Sequence, residues 1–78
     1  MDFSEAIKKI RQDCFLSQES FAKELGVSSS TVLRWEKGQT IPNCVTMRKI
    51  VSFCKKQNVS FQQAEEAWKE NRNGIHSC

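Results

Sequence analysis

Histidine occurs once, at position 76, and proline once, at position 42, and the 78 residues hold only three glycines. A lone histidine close to the last residue has no oriented partner for acid–base or nucleophilic work. There is also no glycine-rich phosphate loop and no acidic pair in a recognisable site, so no enzyme is expected. So little glycine and proline excludes collagen-like and low-complexity chains. No apolar run is long enough to cross a bilayer. The opening Met-Asp-Phe-Ser-Glu is acidic where a secretory leader is basic, so the expectation is a cytoplasmic protein without a membrane role. The four cysteines, Cys14, Cys44, Cys54 and Cys78, form no CxxC pair and no zinc-ribbon spacing. Four reduced thiols are therefore expected, some packed as small hydrophobes, with Cys54 the slowest to react and Cys78 the fastest. His76 and Cys78 are read as solvated rather than as metal ligands. No metal, no cofactor and no small-molecule ligand is expected.

What is present is a short, helix-friendly chain. Hydrophobic residues make up 38% and charged residues 27%, and 12 Lys and Arg against 9 Asp and Glu give a net charge of +3. That balance suits an anionic partner without establishing one. The length allows one small domain, which must build an efficient core because short chains bury a small share of their surface.

Phe3, Ile7 and Ile10 recur at helical spacing, with Lys8, Lys9 and Gln12 opposite, and Ser4 or Asp2 stands at the cap. This first helix ends near Asp13 or Cys14. Ser17 caps a second helix, roughly Gln18 to Leu25, whose apolar stripe is Phe21, Ala22 and Leu25 and whose stop is Gly26. Ser28 opens a third, about 28–37, with Val32, Trp35 and Glu36 on one side and Gly38 at its end. Ser29, Ser30, Leu33 and Arg34 lie on its other side, within an arc of about 140° at 100° per residue. Gln39 to Asn43 reads as a loop because Pro42 disfavours helix at Ile41.

Asn43 caps a fourth helix with Met47, Ile50, Val51 and Cys54 facing inward and a frayed Lys55-Lys-Gln-Asn end. After Val59 and Ser60, a fifth helix carries Phe61, Ala64 and Trp68 on one face and Glu65, Glu66 and Lys69 on the other, and stops at Asn73-Gly74. No repeat and no strand-period alternation appears. The expected architecture is all-α, a compact five-helix bundle over residues 1–73 followed by a loose tail, 74–78. Its core is expected from Phe3, Ile7, Ile10, Phe21, Leu25, Val32, Met47 and Ile50, with Trp35 core more than contact.

The ordered string Leu16-Ser17-Gln18, Leu25-Gly26-Val27-Ser28 and Trp35-Glu36-Lys37-Gly38, with Ile10-Arg11 before it and Pro42 after it, resembles the lambda-repressor and Cro-like (XRE) helix-turn-helix family. The likeness covers about positions 5–68. Many members carry Gly or a basic residue just before Leu-Ser-Gln, where this chain has Cys14-Phe15. The resemblance implies a helix-turn-helix at about 18–37 and a sequence-specific regulator of transcription, a repressor, bound to double-stranded operator DNA.

The side chains of the third helix fit that role, because a helix enters the major groove and reads base edges with short or hydrogen-bonding groups. Arg34 suits guanine O6 and N7, and Ser29 or Ser30 serves purines or phosphates; without the motif, the same face would read as ordinary solvated surface. Leu33 either packs on a thymine methyl or rests on a neighbouring helix rim. By resemblance, Gln18 binds phosphate at a helix N-terminus. Lys37, Gln39 and Thr40 clamp the adjacent backbone, joined by Ser28 and Thr31, while Arg11 and Glu36 form a shielded structural ion pair. A homodimer is expected, with Trp68 either an interface aromatic or packed within the chain. The rival reading is a protein-interaction module, an antitoxin-like protein or anti-regulator, in which Trp68 and Ile75 meet a protein partner.

Overall fold

The computed structural model describes residues 2–71 and forms helices at Phe3–Asp13 (α1), Gln18–Leu25 (α2), Ser29–Glu36 (α3), Cys44–Gln57 (α4) and Gln62–Asn71 (α5). No strand occurs among the described residues, so the fold is all-α. None of these helices is long and apolar enough to cross a membrane. The expectations of a loose tail at 74–78 and a helix stop at Asn73-Gly74 lie outside the described residues.

Each of the first four helices starts on a polar side chain that accepts the N–H of the third helical residue. The pairs are Asp2 with Glu5, Ser17 with Ser20, Ser28 with Thr31, and Asn43 with Thr46. Such a cap contributes about 1 kcal/mol by satisfying a donor the helix cannot. Asp2 rather than Ser4 does this for α1, and the Ser4 hydroxyl donates to Asp2 at 2.8 Å. The capping N–H of Glu5 and that hydroxyl together hold the Asp2 carboxyl below its usual value.

The same four helices also stop alike. Phe15, Gly26, Gly38 and Asn58 each adopt a left-handed backbone, with φ of 58°, 72°, 75° and 57°. In every case that residue and the next close two bonds back onto the final turn, as Gly38 N–H does to Trp35 O and Gln39 N–H to Arg34 O. This corrects the expected frayed end of α4. Lys55 to Gln57 are regular helix, because the Asn58 and Val59 N–H groups bind the carbonyls of Lys55 and Cys54.

All eight expected core residues are buried, and Trp35 with them. Val51, expected inside, is half-buried; Phe53 takes the inward place, edge-on to Phe21 with ring centroids 6.0 Å apart. Ala6, Ala64 and Ala67 are the small contacts. α1 packs on α3 and α5, and α2 packs on α3 and α4. α3 is therefore held from behind by two helices, leaving its far side to solvent.

Candidate functional site

The turn between α2 and α3 takes three residues, Gly26, Val27 and Ser28. Gly26 supplies the reversal with its positive φ, and a Cβ there would meet only Lys49 Nζ at 3.9 Å, so the glycine is required by conformation rather than by space. Ser28 then restarts the helix: its Oγ accepts the Thr31 N–H and lies 2.9 Å from Thr31 Oγ1. Val32 and Trp35, 0% and 2% exposed, anchor α3 in the core and so fix which face points outward.

Ser29, Ser30 and Arg34 are exposed on that outward face, with Leu33 among them at 37% exposure. None of the three polar side chains hydrogen-bonds or ion-pairs with another described residue. Lys37, the C-cap of α3, is exposed, and so are Gln39 and Thr40 just beyond it. All six of these polar residues are exposed to solvent. Ser28 and Thr31 are partly spent on capping, and Thr31 is half-buried.

The buried side of α3 is locked by Glu36. Its carboxylate accepts Arg11 Nε at 2.7 Å and Arg11 Nη2 at 3.1 Å, a two-pronged ion pair joining α1 to α3. Arg11 Nη1 also donates to Leu16 O at 2.9 Å, fixing the chain as it enters α2. The Gln18 amide donates to Glu36 Oε1 at 3.0 Å, a contact the sequence reading missed. One carboxylate therefore orients α1, the α2 N-terminus and α3 together. A glutamine amide has two N–H donors, and only the one to Glu36 is engaged among the described residues.

Two other expectations meet the structure here. The Trp68 indole N–H donates to Pro42 O at 2.7 Å, so this half-buried side chain is engaged within the chain. The expectation of four free thiols is corrected: Cys14 and Cys54 are free, whereas Cys44 is disulfide-bonded. Disulfide pairing depends on Cα separations of roughly 4.4–6.8 Å in the folded chain, which spacing along a sequence does not show. Cys54 is fully buried, and burial, then the neighbouring Cys14, pushes its thiol up to about 12. Burial and the charge of Asp13 raise Cys14. The expected reactivity of Cys78 and the solvated role of His76 fall outside the described residues.

Comparison with known proteins gives a consistent family. A helix-turn-helix family model matches residues 7–57. The chain is 34% identical over 53 residues to the HTH-type transcriptional activator BcrR of Enterococcus faecalis, covering 68% of this chain and 26% of that protein. It is 37% identical over 51 residues to the cryptic phage CTXphi transcriptional repressor RstR of Vibrio cholerae, covering 65% of this chain and 46% of that one. The matched region thus spans less than half the length of either relative. No solved structure gives a significant match.

Proposed function

Since the chain belongs to the helix-turn-helix family, of the lambda-repressor and Cro-like type, we propose that it is a transcriptional regulator that seats α3 in the major groove of operator DNA. The observation that carries this reading is the division of α3 into a buried, ion-paired back and an exposed front whose polar groups have no partner among the described residues. Arg34 reads guanine O6 and N7 with two donors, and Ser29 and Ser30 reach neighbouring base edges or phosphates. Leu33 lies among them where a thymine methyl would pack. Gln18, with the free N–H groups of the α2 N-terminus, holds one phosphate, and Lys37, Gln39 and Thr40 hold the strand beyond. Ser28 and Thr31 add hydroxyls on the same side.

The regulatory outcome proposed is repression. Of the two relatives one is named an activator and one a repressor, but occluding a promoter asks nothing of the protein beyond the DNA-bound face. One recognition helix spans few base pairs, so the chain is proposed to act as a homodimer through α5, on half-sites about 34–36 Å apart. Trp68 is the aromatic proposed for that surface.

Fluorescence anisotropy on a labelled duplex at two salt concentrations tests the reading. Affinity should fall steeply with salt, each phosphate contact adding about −0.9 to the logarithmic slope. Absence of binding at both concentrations would replace it with the protein-module reading.

A further inference from the structure

α4 carries four cations, Arg48, Lys49, Lys55 and Lys56, and no acidic residue. Its inward side is taken by apolar residues, so all four charges are exposed. Two of them are turned towards α5, since Arg48 and Lys55 line a groove that α4 shares with that helix. Lys49 is turned the other way, towards α2, on which α4 packs. Its Nζ lies 3.9 Å from where a Cβ on Gly26 would stand, so the ammonium sits over the first residue of the turn that leads into α3. That ammonium forms no ion pair or hydrogen bond with a described residue.

We propose that Lys49 is a further DNA-backbone contact, its ammonium holding a phosphate beside Ser28. The inference rests on the DNA-binding reading above and extends the bound surface to α4. Ser28 stands two residues beyond Gly26, so their Cα atoms are within about 8 Å at ~3.8 Å per residue. A lysine head is a compact charge on a flexible four-carbon stem, and it follows a phosphate without a fixed geometry. α3 has eight residues and is about 12 Å long. Lys37 caps its far end and Lys49 stands beside its start, so the two cations bracket the helix. A phosphate contact carries no sequence information, and Lys49 therefore adds affinity and register rather than selectivity.

The competing role for Lys49 is structural. The carbonyl end of a helix carries partial negative charge, and a lysine over Gly26 complements that end of α2 whether or not DNA is bound. The two roles separate by experiment. A lysine kept only for α2 acts on the melting temperature and leaves the salt dependence of DNA binding unchanged. A lysine on a phosphate displaces a counterion when it binds, and its loss must lower that dependence.

Fluorescence anisotropy over a series of salt concentrations is measured for the full chain, Lys49→Gln, Lys49→Arg and Lys56→Gln, with melting curves alongside. The duplexes are a site selected from a random pool and an unrelated sequence. Lys56 is seven residues further along α4, about 10 Å away at ~1.5 Å per residue, which is about one Debye length at 0.1 M salt. Its variant makes the same change of net charge without the contact. Lys49→Gln should lower the logarithmic salt slope by about 0.9 and weaken both duplexes by similar factors. Lys49→Arg and Lys56→Gln should keep the parent's slope. An unchanged slope for Lys49→Gln, beside a steep one for the parent, overturns the proposal and leaves the DNA-binding reading standing. An equal fall for Lys56→Gln also overturns it, because the effect then follows net charge alone. A parent that binds neither duplex overturns both.

Discussion

Glu36 and Arg11 form a two-pronged ion pair between α3 and α1, with Nε–Oε2 at 2.7 Å and side chains only 5% and 14% exposed. With so little solvent around it, breaking the pair from one side strands a charge. Glu36→Ala also removes the acceptor of the Gln18 amide. It should cost about 3–5 kcal/mol in urea unfolding. The double variant Arg11→Met/Glu36→Leu should cost much less, because it leaves no buried ion behind. Equal losses from single and double variants would show that the pair carries no such coupling.

Phe15 and Gly26 occupy equivalent left-handed positions at the ends of α1 and α2, yet one is a phenylalanine that is 93% exposed. A side chain in that backbone region costs about 1–2 kcal/mol. Phe15→Gly should therefore raise the melting temperature, and Gly26→Ala should lower it although the added methyl has room. Opposite signs from two changes at matching positions are the result to look for in thermal melts. A loss on Phe15→Gly would mean that its ring makes a stabilising contact.

What the sequence made legible was local. Ser17, Ser28 and Asn43 announce helix starts, and Gly26 and Gly38 announce stops, because each residue type satisfies a backbone need within a few positions. Those signals placed α2 and the front of α3 correctly, and with them the face carrying Ser29, Ser30 and Arg34. Asn58 hid its role behind a polar run that reads as fraying. Phe53 was legible, lying three residues from Ile50 on the inward side of α4, and was overlooked in favour of Val51. The Gln18–Glu36 bond joins residues 18 apart in the chain, and nothing local encodes it. Trp68 likewise found Pro42, 26 residues away.

Cys54 gives the fold an alkaline sensitivity. Its thiol is held near 12 in the native chain against an ordinary 9.0. Between those values the native state keeps a proton that the unfolded chain has released, so stability falls as pH rises. The contribution is complete below about pH 9 and is lost towards pH 12. Unfolding free energies measured across that window should fall less steeply for Cys54→Ala than for the parent, whatever constant cost the smaller side chain imposes. Parallel curves would contradict the assignment.

The central claim is that Arg34 reads bases while Gln18 and Lys37 hold phosphates, and matched affinities on operator and unrelated duplex test it most directly. The operator comes from selecting bound sequences out of a random pool. Arg34→Ala should lose about 1–3 kcal/mol on the selected site and less on unrelated DNA. Gln18→Ala should weaken both complexes by similar factors with little change of salt slope, since the residue is neutral and phosphates are alike in every sequence. Lys37→Ala should reduce the salt slope by about 1. Melting curves for each variant separate lost contact from lost fold, above all for Gln18→Ala, which also gives up the bond to Glu36. The account predicts a selective loss for Arg34→Ala; an equal loss on operator and unrelated duplex would contradict it.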